Sequence, residues 1–140
     1  MAGLETTATF DQAKDEFVIH TPTLTATKFW PGDAGMFCSH AVVFARLLTS
    51  ENDYGVMPFM VPLRDVETWA VLPGIKCGDL GPKIGYGGKN NSWVSFDSVR
   101  IPRTNMMMGL CELSREGEFS LNGDPRVLYS VMMAIRMQII

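Results

Sequence analysis

With 140 residues, 46% of them hydrophobic, and a formal net charge of −3, the chain has one domain's length and enough apolar side chains for a real core. That charge argues against nucleic acid as a partner, because gripping a phosphate backbone needs clustered Lys and Arg. No apolar run is long enough to span a bilayer, and residues 1–16 are polar and acidic, unlike a signal peptide.

Residues 4–10 carry threonines and an aromatic, a strand-like composition. Residues 11–15 form a polar turn and 16–21 a second strand, so the two read as a hairpin. Pro22 ends it, and the alternation over 23–30 predicts a third strand. Residues 36–49 are apolar enough for a short buried helix, but their β-branched centre and the Ser50-Glu51-Asn52-Asp53 turn favour a buried strand. Its partner is expected over 54–61, where Pro58 marks an edge or a bulge. A further extended piece is expected over 65–72, before the turn at Pro73-Gly74.

Residues 74–91 are glycine-rich, with short strand-like pieces at 75–77 and 83–84. Residues 91–102 alternate cleanly and read as one strand, stopped by Pro102. Residues 109–121 suggest a small peripheral hairpin around 114–117. After the Asn122-Gly123-Asp124-Pro125 loop the pattern changes. Leu128, Val131, Met132, Ile135 and Ile139 recur at helical spacing, with Asp124 placed as N-cap and Pro125 at the first helical position. The expected architecture is mainly β, an antiparallel barrel or sandwich with one C-terminal helix. The helix reaches residue 140 without a C-cap, which reads as a cut end.

Few residues point to chemistry on their own. Cys38, Cys77 and Cys111 are odd in number and widely spaced, which fits neither a disulfide framework nor a CxxC metal site and points to a reducing compartment. With two histidines, His20 and His40, zinc is not expected, and both read as structural or surface residues. Residues 81–88 lack the Lys-Ser/Thr end of a phosphate-binding loop and read as sheet corners. Asp79 and Asp97 are single carboxylates, not an acid/base pair. Ten methionines include the clusters Met106-Met107-Met108 and Met132-Met133 with Met137, suited to irregular gaps and adaptable interfaces.

The stretch Lys28-Phe29-Trp30-Pro31-Gly32-Asp33-Ala34-Gly35 is different. It ends a strand with two aromatics, breaks the ladder with proline and supplies two glycines. Two adjacent aromatics at a strand end can be plain core packing. The Pro-Gly and Gly35 that follow favour a flat aromatic wall beside an open backbone corner, where a planar heterocycle could lie.

These residues resemble the acyl-CoA oxidase family, in the middle β-domain. The resemblance rests on Gly3-Leu4-Glu5-Thr6-Thr7-Ala8-Thr9, Lys28-Phe29-Trp30-Pro31-Gly32 and Leu72-Pro73-Gly74-Ile75. It continues through Gly78-Asp79-Leu80-Gly81-Pro82-Lys83-Ile84-Gly85-Tyr86 and Val99-Arg100-Ile101-Pro102-Arg103-Thr104-Asn105-Met106. It covers nearly the whole chain and extends more loosely to the acyl-CoA dehydrogenase superfamily. It implies a middle β-domain over 1–125 that contacts FAD, and the start of a C-terminal helical domain over 126–140. It further implies oxidation of a fatty acyl-CoA by O2 to trans-2-enoyl-CoA and hydrogen peroxide, with a glutamate removing the α-proton and the β-hydride passing to FAD. Trp30, Pro31 and Gly32 are the implied cofactor-binding residues, with Trp30 against the isoalloxazine. Gly32 stands where related dehydrogenases carry a hydroxyl residue, which would leave room for O2.

The sequence departs from the family pattern at Asp33, where oxidases tend to have a second glycine, and at Phe29, where they tend to have Trp. The family's flavin-binding loop precedes the position of Gly3, and its catalytic glutamate lies on helices beyond residue 140, so the 140 residues alone are expected to be inactive. A homodimeric full-length enzyme in a peroxisome or glycosome is implied as well. Two readings without catalysis stand beside it: a β-barrel holding a small apolar ligand in its mouth, and an interaction module docking through its Met-rich helix.

Overall fold

The computed structural model describes residues 3–124 except Tyr86, together with Arg126, Val127, Ser130 and Met133. Its architecture is two facing sheets and a small hairpin, sandwich-like and mainly β. The described strands do not close into a barrel. The first sheet has five strands in the order β5-β4-β1-β2-β8, and the second has three in the order β3-β7-β6.

The hairpin expected at the start is formed by β1 (Thr7–Asp11) and β2 (Glu16–His20), paired antiparallel from Thr7 opposite His20 to Asp11 opposite Glu16. Strict alternation sends Ala8, Phe10, Phe17 and Ile19 inward. Residues 36–49 resolve as the buried strand, not the helix: β4 (His40–Leu48) points Val43, Ala45 and Leu47 into the core. Its partner β5 (Asp53–Pro62) lies at the sheet edge, where a proline at position 58 is tolerated. β1 pairs with β4 in parallel, Thr7 opposite Arg46, within a sheet whose other pairings are antiparallel.

Four expectations need correction. The strand placed over 23–30 is shorter and later. A 3-10 turn at Leu24–Ala26 is capped by Thr23, whose hydroxyl accepts the Ala26 N–H at 3.2 Å, and β3 (Lys28–Gly32) follows. Threonine hydroxyls that compete for local backbone donors explain the turn. The extended piece at 65–72 is a tight loop, because the Asp65 carboxylate accepts the N–H groups of Glu67 and Thr68 and the Thr68 hydroxyl. Residues 83–84 are loop, and among the described residues of the glycine-rich stretch before Asn91 β6 (Ile75–Asp79) is the strand that forms.

The single strand expected over 91–102 is two strands in two sheets. β7 (Asn91–Phe96) pairs with β3 and β6, and β8 (Val99–Pro102) pairs with β2. Ser98, at φ +55°, turns the chain between them. The alternation runs through the corner because both strands send their apolar side chains into the same core. Val94 and Phe96 enter it from one sheet, Val99 and Ile101 from the other.

The peripheral hairpin is present as β9 (Cys111–Leu113) and β10 (Phe119–Leu121). The Asp124 carboxylate accepts the Arg126 N–H at 2.9 Å and its carbonyl accepts the Val127 N–H at 2.9 Å, the bonding of a helix N-cap. Arg126, Val127, Ser130 and Met133 have helical backbone, and the rest of the helix expected over 126–140 lies outside the described residues. No helix among the described residues is long and apolar enough to cross a membrane.

Candidate functional site

Trp30, Pro31 and Gly32 come together at the end of β3, where its ladder with β7 is interrupted. Phe29 pairs with Trp93 and Gly32 with Asn91, and the register shifts between the two pairs. Proline cannot donate to a ladder, so an irregularity here is what the residue order dictates. Trp30 takes up the irregularity at φ +77° and Asp33 continues it at φ +62°. A left-handed conformation in a residue as bulky as tryptophan is strained and is held by its surroundings.

The result is a displayed aromatic surface. Trp30 is 46% exposed and Phe29 69%, with ring centroids 6.2 Å apart and a 44° tilt. Pro31 is half-buried and Gly32 exposed. A Cβ at Gly32 would lie 3.2 Å from the Lys89 methylene next to the ammonium and 3.5 Å from the ammonium nitrogen, the movable end of a flexible chain. The corner at Gly32 is therefore bordered by a side chain that can move, not by backbone.

The loop after it is fixed much more tightly. The Asp33 carbonyl accepts the N–H groups of Met36, Phe37 and Cys38, and the Asp33 N–H donates to Asn90 at 2.8 Å. The Asp33 carboxylate pairs with Lys89 at 2.6 Å. The Gly35 N–H donates to the Ser92 hydroxyl at 2.7 Å, and the Gly35 carbonyl accepts from Arg64 at 2.6 Å. A Cβ on Gly35 would lie 2.8 Å from the Ser92 hydroxyl and 2.9 Å from the Gly78 carbonyl carbon. Only glycine lets this backbone approach β6 so closely.

Beyond the loop the apolar surface continues. Met36 and Phe37 are exposed, and the Trp69 indole N–H donates to the Met36 carbonyl at 3.0 Å. Trp69 is the second tryptophan with positive φ, at +61°. The turn carrying it is held by Asp65, whose carboxyl the Thr68 N–H and then the Thr68 hydroxyl keep below its usual range. On the other side, Lys89 borders an open cleft of about 470 Å³ whose walls include Asp79, Lys83 and Asn90. Asp79 accepts from the Gly81 N–H and from the Asn90 side chain, so it holds the glycine-rich loop's base and acts as a structural carboxylate.

Of the other residues weighed in the sequence, Cys38 lies at the corner, its thiol 3.8 Å from the Gly32 carbonyl, and the two histidines stand apart from it. His20 lies 3.9 Å from Asp97, and His40 contacts its neighbour Ser39 at 3.1 Å. Among the described residues no group of three or more His, Cys, Asp or Glu is placed to hold a metal. Sequence reading missed Arg64, Ser92 and Trp69. For Arg64 the only local signal is a charge directly after an apolar strand end, and its partner Gly35 is far away in the chain.

Similarity to known proteins bears out the family resemblance. No family model matches the chain. It is 51% identical to peroxisomal acyl-coenzyme A oxidase 1 of Arabidopsis thaliana over 142 aligned positions, covering 99% of this chain and 21% of that protein. It is 43% identical to the probable acyl-coenzyme A oxidase acox-1.5 of Caenorhabditis elegans, over 100% of this chain and 21% of the relative. Among solved structures, Caenorhabditis elegans acyl-CoA oxidase-2 bound with FAD, ascaroside-CoA and ATP superposes with a TM-score of 0.92 at 42% identity. That match covers 98% of this chain and 21% of the other. The chain thus spans about a fifth of the length of the relatives it matches.

Proposed function

We propose, on the premise that this chain belongs to the acyl-CoA oxidase family, that its Phe29–Gly35 corner is one wall of a flavin site in a peroxide-forming oxidase of fatty acyl-CoA. The observation that carries the reading is Trp30, held half-exposed in a strained conformation beside an exposed glycine whose nearest neighbour is the movable end of Lys89. The residues present fit a planar cofactor. A two-ring aromatic surface would cover one face of the ring system, and the interrupted ladder brings backbone rather than side chain up to its edge.

Bound FAD would supply the two-electron acceptor that turns acyl-CoA and O2 into trans-2-enoyl-CoA and hydrogen peroxide. The chain's own residues would orient and shield it. Trp30 would press on the ring face and exclude water, Pro31 would stiffen the approach, and Gly32 would leave space where a hydroxyl side chain would crowd O2. The Lys89–Asp33 pair brings opposite charges together beside the corner, so Asp33 is engaged as an ion-pair partner. Removal of the α-proton needs a separate base. In this reading it is a glutamate in the part of the family's length that the 140 residues do not match. The full-length enzyme would be a homodimer in the peroxisome, the compartment named for several relatives. The small-ligand barrel reading loses its container, because the described strands do not close.

The test is FAD titration with tryptophan fluorescence. Saturable quenching that disappears in Trp30→Leu, with the far-ultraviolet spectrum unchanged, is expected. Quenching of equal strength in the variant would remove Trp30 from the site. A second measurement addresses oxygen. Gly32→Thr in a full-length enzyme carrying this segment should slow peroxide formation with flavin retained, and unchanged oxygen reactivity would reject the role given to Gly32.

A further inference from the structure

Arg64 is only 7% exposed, yet among the described residues no carboxylate pairs with it. Its Nε is buried without a hydrogen-bond partner. A buried guanidinium without a counter-ion is costly, and folds rarely keep one without a use for it. Its visible use is specific. One terminal nitrogen donates to the Gly35 carbonyl at 2.6 Å and approaches the Cys77 sulfur at 3.5 Å. The backbone around it is anchored too, since the N–H groups of Leu63 and Arg64 both donate to the Ser39 carbonyl.

Residue Gly35 is therefore held from both sides, its N–H by Ser92 and its carbonyl by Arg64, and a Cβ on it would strike Gly78. Ser92 is oriented in turn by donating to the Asn90 side chain at 2.9 Å. Asn90 also accepts the Asp33 N–H through its carbonyl. These bonds form a chain from Arg64 through Gly35, Ser92 and Asn90 to Asp33, the residue next to Gly32. A charge-assisted bond is shorter and stronger than a neutral one and makes the Arg64 end the firm end of that chain.

We propose that Arg64 is a positioning residue for the aromatic corner, acting through the Gly35 carbonyl to hold residues 30–38 in the strained shape that displays Trp30. The proposal rests on the flavin reading for its purpose and on the hydrogen bonds alone for its geometry. The two parts can therefore fail separately.

The experiment uses the whole chain with Arg64→Met and Arg64→Lys, following amide hydrogen exchange by residue. Arg64→Met should speed exchange at Asp33, Phe37 and Cys38 tenfold or more relative to amides of the β1–β2 hairpin. Arg64→Lys, which keeps a cationic donor, should restore much of that protection. Ser92→Ala, releasing the other side of the same residue, should speed the same three amides and serves if Arg64→Met does not fold. Uniform acceleration across all strands would make Arg64 an ordinary core residue and overturn the proposal, as would unchanged exchange at 33–38.

FAD titration of the same variants supplies the second readout, with weaker tryptophan quenching in Arg64→Met and recovery in Arg64→Lys. If the unmodified chain shows no quenching while the exchange pattern holds, the flavin reading fails and the positioning role stands.

Discussion

The two sheets solve opposite problems. In the five-stranded sheet every second side chain disappears. Ala8, Phe17, Ile19, Ala45, Leu47, Phe59 and Val61 are fully buried, and Phe17 packs between Phe10 and Phe59 with centroids 5.4 and 5.0 Å away. Its charges sit at the surface in pairs, as where Arg100 meets Asp11 and Glu16 at 3.0 Å each. At the β3 end of the three-stranded sheet the arrangement is inverted, with aromatics outside, a guanidinium inside and backbone in left-handed conformations. One region is shaped by burial, and the other holds a shape that burial alone would not choose. A stable scaffold lets a strained site persist.

Four measurements would break or sharpen that contrast. The largest effect belongs to the scaffold. Phe17→Ala should destabilise by about 3–5 kcal/mol, the usual range for emptying an aromatic position in a packed core, measured by urea unfolding. A loss below about 1 kcal/mol would mean that this sheet is not the stabilising half. Next, Gly35→Ala should cost about 1–3 kcal/mol, since its Cβ meets backbone and hydroxyl that cannot easily yield. Gly32→Ala should be far milder, because its Cβ meets only the end of a lysine. Equal costs at the two glycines would contradict a corner bordered by a movable side chain at one and by backbone at the other.

The third change is Trp30→Gly. Relief of left-handed strain offsets the lost aromatic contact, so stability should stay within about 1 kcal/mol of the parent while flavin quenching is lost. A large destabilisation would make Trp30 a core residue after all.

The smallest effect concerns pH. Arg100 hydrogen-bonded to Asp11 holds that carboxyl below its usual range, and Thr23 and Thr25 do the same for Glu5. Because the folded values are depressed, the contribution is fully present above the ordinary carboxylate range and is lost as pH falls through the lowered values. Melting temperature should therefore decline on acidification, and Arg100→Gln should flatten part of that decline. A steeper decline in the variant would reverse the sign assigned to this cluster.

The scaffold was largely legible in the chain itself. The run at 16–21 and the β-branched centre of 40–48 report the strands themselves, while their buried face is set by pairing, since a two-residue period leaves little choice of register. Legibility failed where local hydrogen bonding replaced the ladder, at Thr23 and Asp65, and where one pattern served two sheets, at 91–102. At the corner, Trp30, Pro31 and Gly32 announced themselves by residue type, and their flavin-binding role remains the proposal tested above. The residues that hold the corner were silent. Arg64 and Ser92 act on Gly35 across long sequence separations, and neither belongs to a local pattern that distinguishes a clamp from a surface charge or a strand serine.

The parallel pairing of β1 with β4 has a kinetic consequence. β1–β2 and β4–β5 can each zip from a short turn, but Thr7 meets Arg46 only after the intervening chain has been carried around. That intervening chain contains the whole 28–35 stretch. Closing such a long loop precedes any reward from its contacts and slows folding. The two hairpins should therefore form early and independently, and the aromatic corner should be among the last parts to mature, when the crossover draws the second sheet down onto the first.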